Sequence, residues 1–263
     1  RRLSYRDLDE TSNKVANALI KMGVKKGDRV AMLLSNSPEF VITYFGIVKT
    51  GAIAVPLDPK YKAGELASLF NDCQPRVLVA ESPELEPLVP VLSGRKSIKQ
   101  VIDLGSKYKG RFPGYQETIA TSSTQRIESE LVPDDIALLL YTSASSFHPR
   151  GVMLSHRSLV MEAAMSGDGY QQTDKDIMML FALPVYHVFG LVAVLLASIN
   201  KASTVVMVPG SGVSLNSFLA AIERERGTMW LGVPYIFALA VDMAEKEGIK
   251  NDLSSLRLCA SAG

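Results

Sequence analysis

Between Tyr141 and Gly151 the chain reads Tyr-Thr-Ser-Ala-Ser-Ser-Phe-His-Pro-Arg-Gly. Thr142, Ser143, Ser145 and Ser146 crowd short hydroxyl donors together, and Arg150 adds a guanidinium that stays charged at any working pH. Polyphosphate needs that combination of several small donors and a cation able to pair with two phosphate oxygens at once. A serine-rich surface loop has the same composition, so the loop taken alone leaves both readings open. Its flanks are apolar: residues 136–140 and 152–154 each have the length and character of a short buried strand.

A second constellation is Leu-Pro-Val-Tyr-His-Val-Phe-Gly-Leu, from Leu183 to Leu191. Pro184 ends a strand pattern and Gly190 stands early in a helical one, so Tyr186, His187 and Phe189 are expected on a turn at a strand's carboxyl edge. Open α/β sheets place ligands at that edge. A neutral imidazole there donates one hydrogen bond without carrying a charge; a core histidine among aromatics fits the residues equally well. Gly232-Val233-Pro234-Tyr235 is a third junction, strand to helix, where Val233 and Tyr235 are pocket candidates. Proline in a helix's first turn needs no further reason. His156 reads as the structural start of a helix, His148 as exposed, and Met153, Met178 and Met179 as core. Glu245-Lys246-Glu247 reads as a solvated helix end, and no cluster has metal-ligand spacing.

The elements that must carry these residues follow from periodicity. Ser4-x-x-Asp7 is a capping box ahead of an amphipathic helix with Leu8, Val15, Leu19 and Met22 on its apolar face. Residues 29–34, 52–55 and 76–80 are strand patterns, with helical patterns at 38–49 and 64–71 between them. Such a βαβαβ run predicts a parallel sheet covered by helices. The rhythm returns with strands at 177–183, 203–208, 229–232 and 256–259 and helices at 188–199, 215–226 and 234–247. The fold class expected is α/β with two βαβ-type sheet lobes: residues 1–175 with the loop at 141–151, and 176–263. Residues 81–133 read as irregular connections with one short strand at 98–102.

Composition narrows the function. The chain has 263 residues, 47% of them hydrophobic, and 28 basic against 27 acidic side chains. That is enough to bury a sizeable core, and without a basic stripe nucleic acid is not expected as a partner. Two cysteines, Cys73 and Cys259, do not make a disulfide framework, and a reducing cytoplasmic setting is the expectation. Residues 177–200 carry no Asp, Glu, Lys or Arg, yet Pro184, His187 and Gly190 interrupt them. A strand, turn and helix fit better there than a membrane span.

The 141–151 loop resembles the phosphate-binding signature of the adenylate-forming (AMP-binding) superfamily, Tyr-Ser/Thr-Ser-Gly-Ser/Thr-Thr-Gly-x-Pro-Lys-Gly. Tyr141, Thr142, Ser143, Ser145, Pro149 and Gly151 match it, and Gly-Val-Met-Leu-Ser-His (Gly151 to His156) continues it. Gly23 to Val30, Leu33 to Phe40 and Lys49 to Pro59 are similar to the early part of acyl-CoA synthetases and 4-coumarate-CoA ligases. Four positions depart. Ala144 and Phe147 stand where the signature has glycine, Ser146 where it has threonine, and Arg150 where it has lysine. Glycine lets backbone approach phosphate closely, which Phe147 does not.

The resemblance implies an ATP-dependent acyl- or aryl-CoA ligase using ATP, Mg²⁺ and CoA on a fatty or aryl carboxylic acid. Thr142, Ser143, Ala144, Ser145, Ser146 and Arg150 would hold the polyphosphate. His187 would place the substrate carboxylate, and Tyr186, Phe189, Val233 and Tyr235 would border its pocket. It also implies that the chain is an N-terminal half, truncated before the C-terminal lid and inactive by itself. The alternative expectation, motivated by Ala144 and Phe147, is a catalytically impaired homologue that binds acyl groups. A P-loop NTPase is excluded because no Gly-x-x-x-x-Gly-Lys-Ser/Thr occurs.

Overall fold

The computed structural model describes residues 1–92, 96–105, 107–108, 111–142, 150–208 and 214–262. The chain divides into two compact units, Arg1–Arg157 and Ser158–Gly263. In the first, α1 (Tyr5–Lys21) opens on the capping box expected of Ser4 and Asp7. The Asp7 N–H donates to Ser4 Oγ at 3.1 Å while the Ser4 N–H donates to the Asp7 carboxylate at 2.8 Å. There follow β1 (Arg29–Leu33), α2 (Pro38–Lys49), β2 (Ile53–Pro56), α3 (Ala63–Cys73) and β3 (Val77–Ala80). β1 is buried after its first residue, because helices cover both faces of a parallel sheet and leave no solvent side to alternate with.

Residues 81–133 hold more structure than their composition suggests. Short helices α4 (Ser82–Leu85) and α5 (Val89–Leu92) precede β4 (Gln100–Asp103), and α6 (Tyr115–Ala120) follows it. Helices this short carry too little periodicity to be read against a background of proline and glycine. β5 (Ile136–Tyr141) and β6 (Gly151–Ser155) complete a six-stranded sheet in the order β4-β3-β1-β2-β5-β6. Its first five strands are parallel, and β6 turns back antiparallel on β5.

Residues 152–154 do form a strand, but not a buried one: Met153 is 67% exposed and Val152 is also solvent-facing. β6 is the outermost strand, so apolar composition alone misplaces it in the core. Met178 and Met179, by contrast, are fully buried.

The second unit begins in α7 (His156–Gly169), which straddles the division. β7 (Ile177–Phe181) leads through a turn into a π-helical segment, Phe189–Leu196, continued by α8 (Ala197–Asn200). An ordinary helix was expected there. The Ala197 N–H reaches the Val192 carbonyl five residues back, the wider spacing of a π-turn. β8 (Thr204–Val208), α9 (Leu215–Glu225), β9 (Met229–Gly232), α10 (Pro234–Glu247) and β10 (Leu258–Ser261) follow. The four strands form a wholly parallel sheet in the order β10-β9-β7-β8. Its core includes Met179, Phe181, Phe218 and Trp230, with the Phe181 and Phe218 rings stacked at 4.4 Å. Among the described residues no helix is long and apolar enough to cross a membrane.

Candidate active site

In the first unit the candidate loop leaves the carboxyl end of β5 and returns as β6. Tyr141 pairs with Gly151 across the hairpin, and one residue further the Thr142 N–H donates to the Arg150 carbonyl at 3.0 Å. The two ends of the loop are thus closed by backbone bonds, with the side chains of Thr142 and Arg150 exposed beside each other's chain. The remaining loop candidates, Ser143, Ala144, Ser145 and Ser146, lie outside the described residues, as do Phe147, His148 and Pro149.

Two features fix the mouth of this hairpin. A Cβ on Gly151 would lie 2.8 Å from Leu139 Cδ1 and 3.4 Å from Tyr141 Cε1, so glycine is what lets these side chains lie against the β6 backbone. The Tyr141 hydroxyl donates to the Asp72 carboxylate on α3 at 2.5 Å. Burial and this carboxylate hold the phenol protonated well above its usual range. Asp72 is 69 positions from Tyr141 in sequence, and no local motif joins them.

In the second unit, β7 and β9 are neighbours and parallel, so the turns that follow them leave from one edge of the sheet. That edge brings the 182–189 turn and the 233–235 junction to the same side, as reading them at carboxyl edges requires. Ala182 exits β7 at φ +55°, a left-handed conformation that costs a non-glycine residue roughly 1 kcal/mol. The turn then closes tightly. A Cβ on Gly190 would sit 2.3 Å from the Pro184 carbonyl oxygen, which only glycine avoids.

His187 is held by its backbone: its N–H donates to the Pro184 carbonyl at 3.1 Å, and its own carbonyl accepts from Leu191 at 2.9 Å. Its ring is exposed. Nδ1 accepts from the Phe189 N–H at 3.3 Å, so the neutral ring carries its proton on Nε2 and presents it outward as a donor. Phe189 is the first residue of the π-helical segment rather than part of the turn, and Tyr186 is partly buried. Val233 caps α10, Pro234 opens its first turn, and Tyr235 is 68% exposed.

Beneath this edge the Trp230 ring packs against Phe237 at 4.4 Å, and its buried indole N–H has no partner among the described residues. His156 opens α7; burial lowers the pKa of its ring. Among the described residues no group of three His, Cys, Asp or Glu could hold a metal ion.

A hydroxyl- and arginine-bearing hairpin in the first unit and a histidine-bearing turn in the second each stand at the carboxyl end of a parallel strand, the edge at which α/β folds place their ligands. The AMP-binding enzyme family model matches residues 1–263, and the chain belongs to that family. It is 29% identical over 265 residues to 4-coumarate--CoA ligase 3 of Oryza sativa subsp. japonica, covering 98% of this chain and 46% of the relative. It is 30% identical over 279 residues to acyl-CoA ligase sidI of Aspergillus fumigatus, covering 100% and 46%. Among solved structures it is similar to the anthranilate CoA ligase AuaEII in complex with anthranoyl-AMP, with TM-score 0.93, 27% identity, and 100% and 50% of the two chains covered. ATP-bound MatB from Rhodopseudomonas palustris is similar at TM-score 0.87 and 26% identity, with 100% and 50% covered. The chain spans about half the length of the curated relatives it matches.

Proposed function

We propose that this chain belongs to an acid–thiol ligase that activates a small fatty or aryl carboxylic acid with ATP and passes the acyl group to CoA. The observation that carries this reading is the family match over the whole chain, with a hydroxyl- and arginine-bearing hairpin at the carboxyl end of β5. In the first step a carboxylate oxygen bonds to the α-phosphorus of ATP as the bond to pyrophosphate breaks, giving an acyl adenylate. The CoA thiol, losing its proton, then displaces AMP.

The protein's own task is positioning and charge stabilisation. Thr142, Ser143, Ser145 and Ser146 supply hydroxyl donors to the departing pyrophosphate, Ala144 supplies a backbone N–H, and Arg150 supplies the positive charge. The His187 Nε2–H, directed by the Nδ1 contact to Phe189, donates to the substrate carboxylate. Tyr186, Phe189, Val233 and Tyr235 border the acid. Mg²⁺ arrives on ATP, held by phosphate oxygens and water, and no protein ligand is assigned to it.

Two further observations support the reading: relatives named for coumarate and acyl substrates, and a similar structure that holds anthranoyl-AMP. Pyrophosphate release from MgATP, assayed on the whole gene product with a panel of fatty and aryl acids, tests it. Acid-dependent release is expected. A folded protein that binds acids but neither binds MgATP nor releases pyrophosphate would instead favour an impaired acyl-binding homologue, the outcome that Ala144 and Phe147 motivate.

A further inference from the structure

Asp72 is electrostatically out of place. It stands in the last turn of α3, where the helix dipole disfavours a carboxylate; the turn has no basic residue of its own, and Arg29 of β1 spends its Nε on the Cys73 carbonyl and a second nitrogen on the Gln74 carbonyl. It also stands one hydrogen bond away from Tyr141, the strand residue from which the phosphate-binding hairpin departs. A negative charge so placed opposes polyphosphate binding. What it does instead is accept the Tyr141 hydroxyl proton at 2.5 Å. The rest of the Tyr141 side chain is fixed as well. It packs with Leu139 against the buried cluster that includes Cys73, the residue next to Asp72, and it lies against the bare Cα of Gly151 on the returning strand. Beyond it the Thr142 N–H closes on the Arg150 carbonyl. The phenol's only proton is committed to the carboxylate, so in this geometry it does not donate to a phosphate.

We infer that Asp72 and Tyr141 form a strut that ties the mouth of the phosphate-binding hairpin to α3, making both of them positioning residues for the polyphosphate of ATP. The inference rests on the reading given under Proposed function. Asp72 would then act through Tyr141, and Tyr141 through Thr142 and Arg150.

Titration calorimetry with MgATP, and separately with the carboxylic acid, on wild type, Tyr141→Phe, Asp72→Ala and Asp72→Asn tests this. Thermal unfolding of each variant is followed alongside. Tyr141→Phe and Asp72→Ala are expected to weaken MgATP binding several-fold, through lost placement of Thr142 and Arg150, and to lower the unfolding midpoint slightly through the lost hydrogen bond, with acid affinity unchanged. Asp72→Asn keeps an acceptor without the charge and is expected to restore MgATP binding. Wild-type affinity in both Tyr141→Phe and Asp72→Ala overturns the inference while leaving the proposed function standing. So does an equal loss for MgATP and acid, which marks a merely structural contact. A folded wild type that binds no MgATP overturns both.

Discussion

The two edges of the second sheet are built on opposite principles. At the edge where its strands begin, one buried carboxylate gathers donors from three directions. Asp176, immediately before β7, accepts from Arg257 Nε at 2.7 Å, from the second Arg257 nitrogen at 2.8 Å, from Thr228 Oγ1 at 2.7 Å and from the Thr173 N–H at 2.8 Å. Arg257 also donates to the carbonyls of Tyr170 and Gln171. At the edge where β7 and β9 end, the backbone is strained at Ala182, packed without room for a side chain at Gly190, and topped by an exposed His187 ring and an exposed Tyr235. A carboxylate so fully paired acts as a clamp on the segments that meet there. The other edge carries strained backbone beneath an outward-facing donor, the combination in which strain is found at functional sites.

The largest test of that contrast is Asp176→Ala. The carboxylate is almost wholly buried whereas the Arg257 side chain is 38% exposed. Allowing for solvent screening on the arginine side, the substitution should cost about 3 kcal/mol in urea unfolding. Hydrogen bonding from Arg257 outweighs the opposing effect of burial and holds the Asp176 pKa well below the usual carboxylate range. A depressed folded-state pKa means that the stabilisation is complete above the unfolded value of about 4 and is lost as pH falls from there toward the folded value. The gap in stability between wild type and Asp176→Ala should therefore be constant near neutrality and narrow below about pH 4. A gap independent of pH would remove the ionised carboxylate from the clamp.

Gly190→Ala comes next. The added methyl meets backbone, which cannot swing aside, so a loss of about 2 kcal/mol is expected in the same unfolding measurement. An alanine variant as stable as wild type would show that the turn is not closed on itself. His187→Ala should do the reverse: no change in unfolding, because the ring is exposed, and about a ten-fold higher KM for the acid from the lost donor. A change in stability with no change in KM would make His187 part of a clamp after all. Smallest is Ala182→Gly, which relieves a left-handed alanine and should stabilise the unit by about 0.5 kcal/mol. A net loss would mean that glycine's added freedom in the unfolded chain outweighs the strain.

These contrasts are unequally legible in the sequence. The parallel sheets could be read because strands buried on both faces are short continuous apolar runs separated by amphipathic helices, as at residues 29–33 and 177–181. The same rule misled at residues 152–154, since an apolar run does not reveal whether a neighbouring strand lies on both sides. The π-helical spacing at residues 189–196 was hidden because a segment apolar on every side has no periodicity to distinguish one helix from another. The candidate residues themselves were visible through chemistry and motif: Thr142 and Arg150 at the ends of the hairpin, His187 on its turn. Their supports were not. Asp72 lies 69 positions from Tyr141, and Arg257 lies 81 from Asp176. Contacts made by folding between distant, individually ordinary residues leave no spacing to read. Ala182 likewise carries no sign of its backbone conformation.

The measurement that bears most directly on the central claim is MgATP-dependent pyrophosphate release by the whole gene product, compared between wild type and Arg150→Ala over the same panel of acids. Acid-dependent release that falls at least ten-fold in the variant is the expected result, since a charge-assisted contact to phosphate is worth about 1.5–3 kcal/mol. Release that requires no acid, or that is unchanged without Arg150, would contradict the assignment of the β5–β6 hairpin as the polyphosphate site.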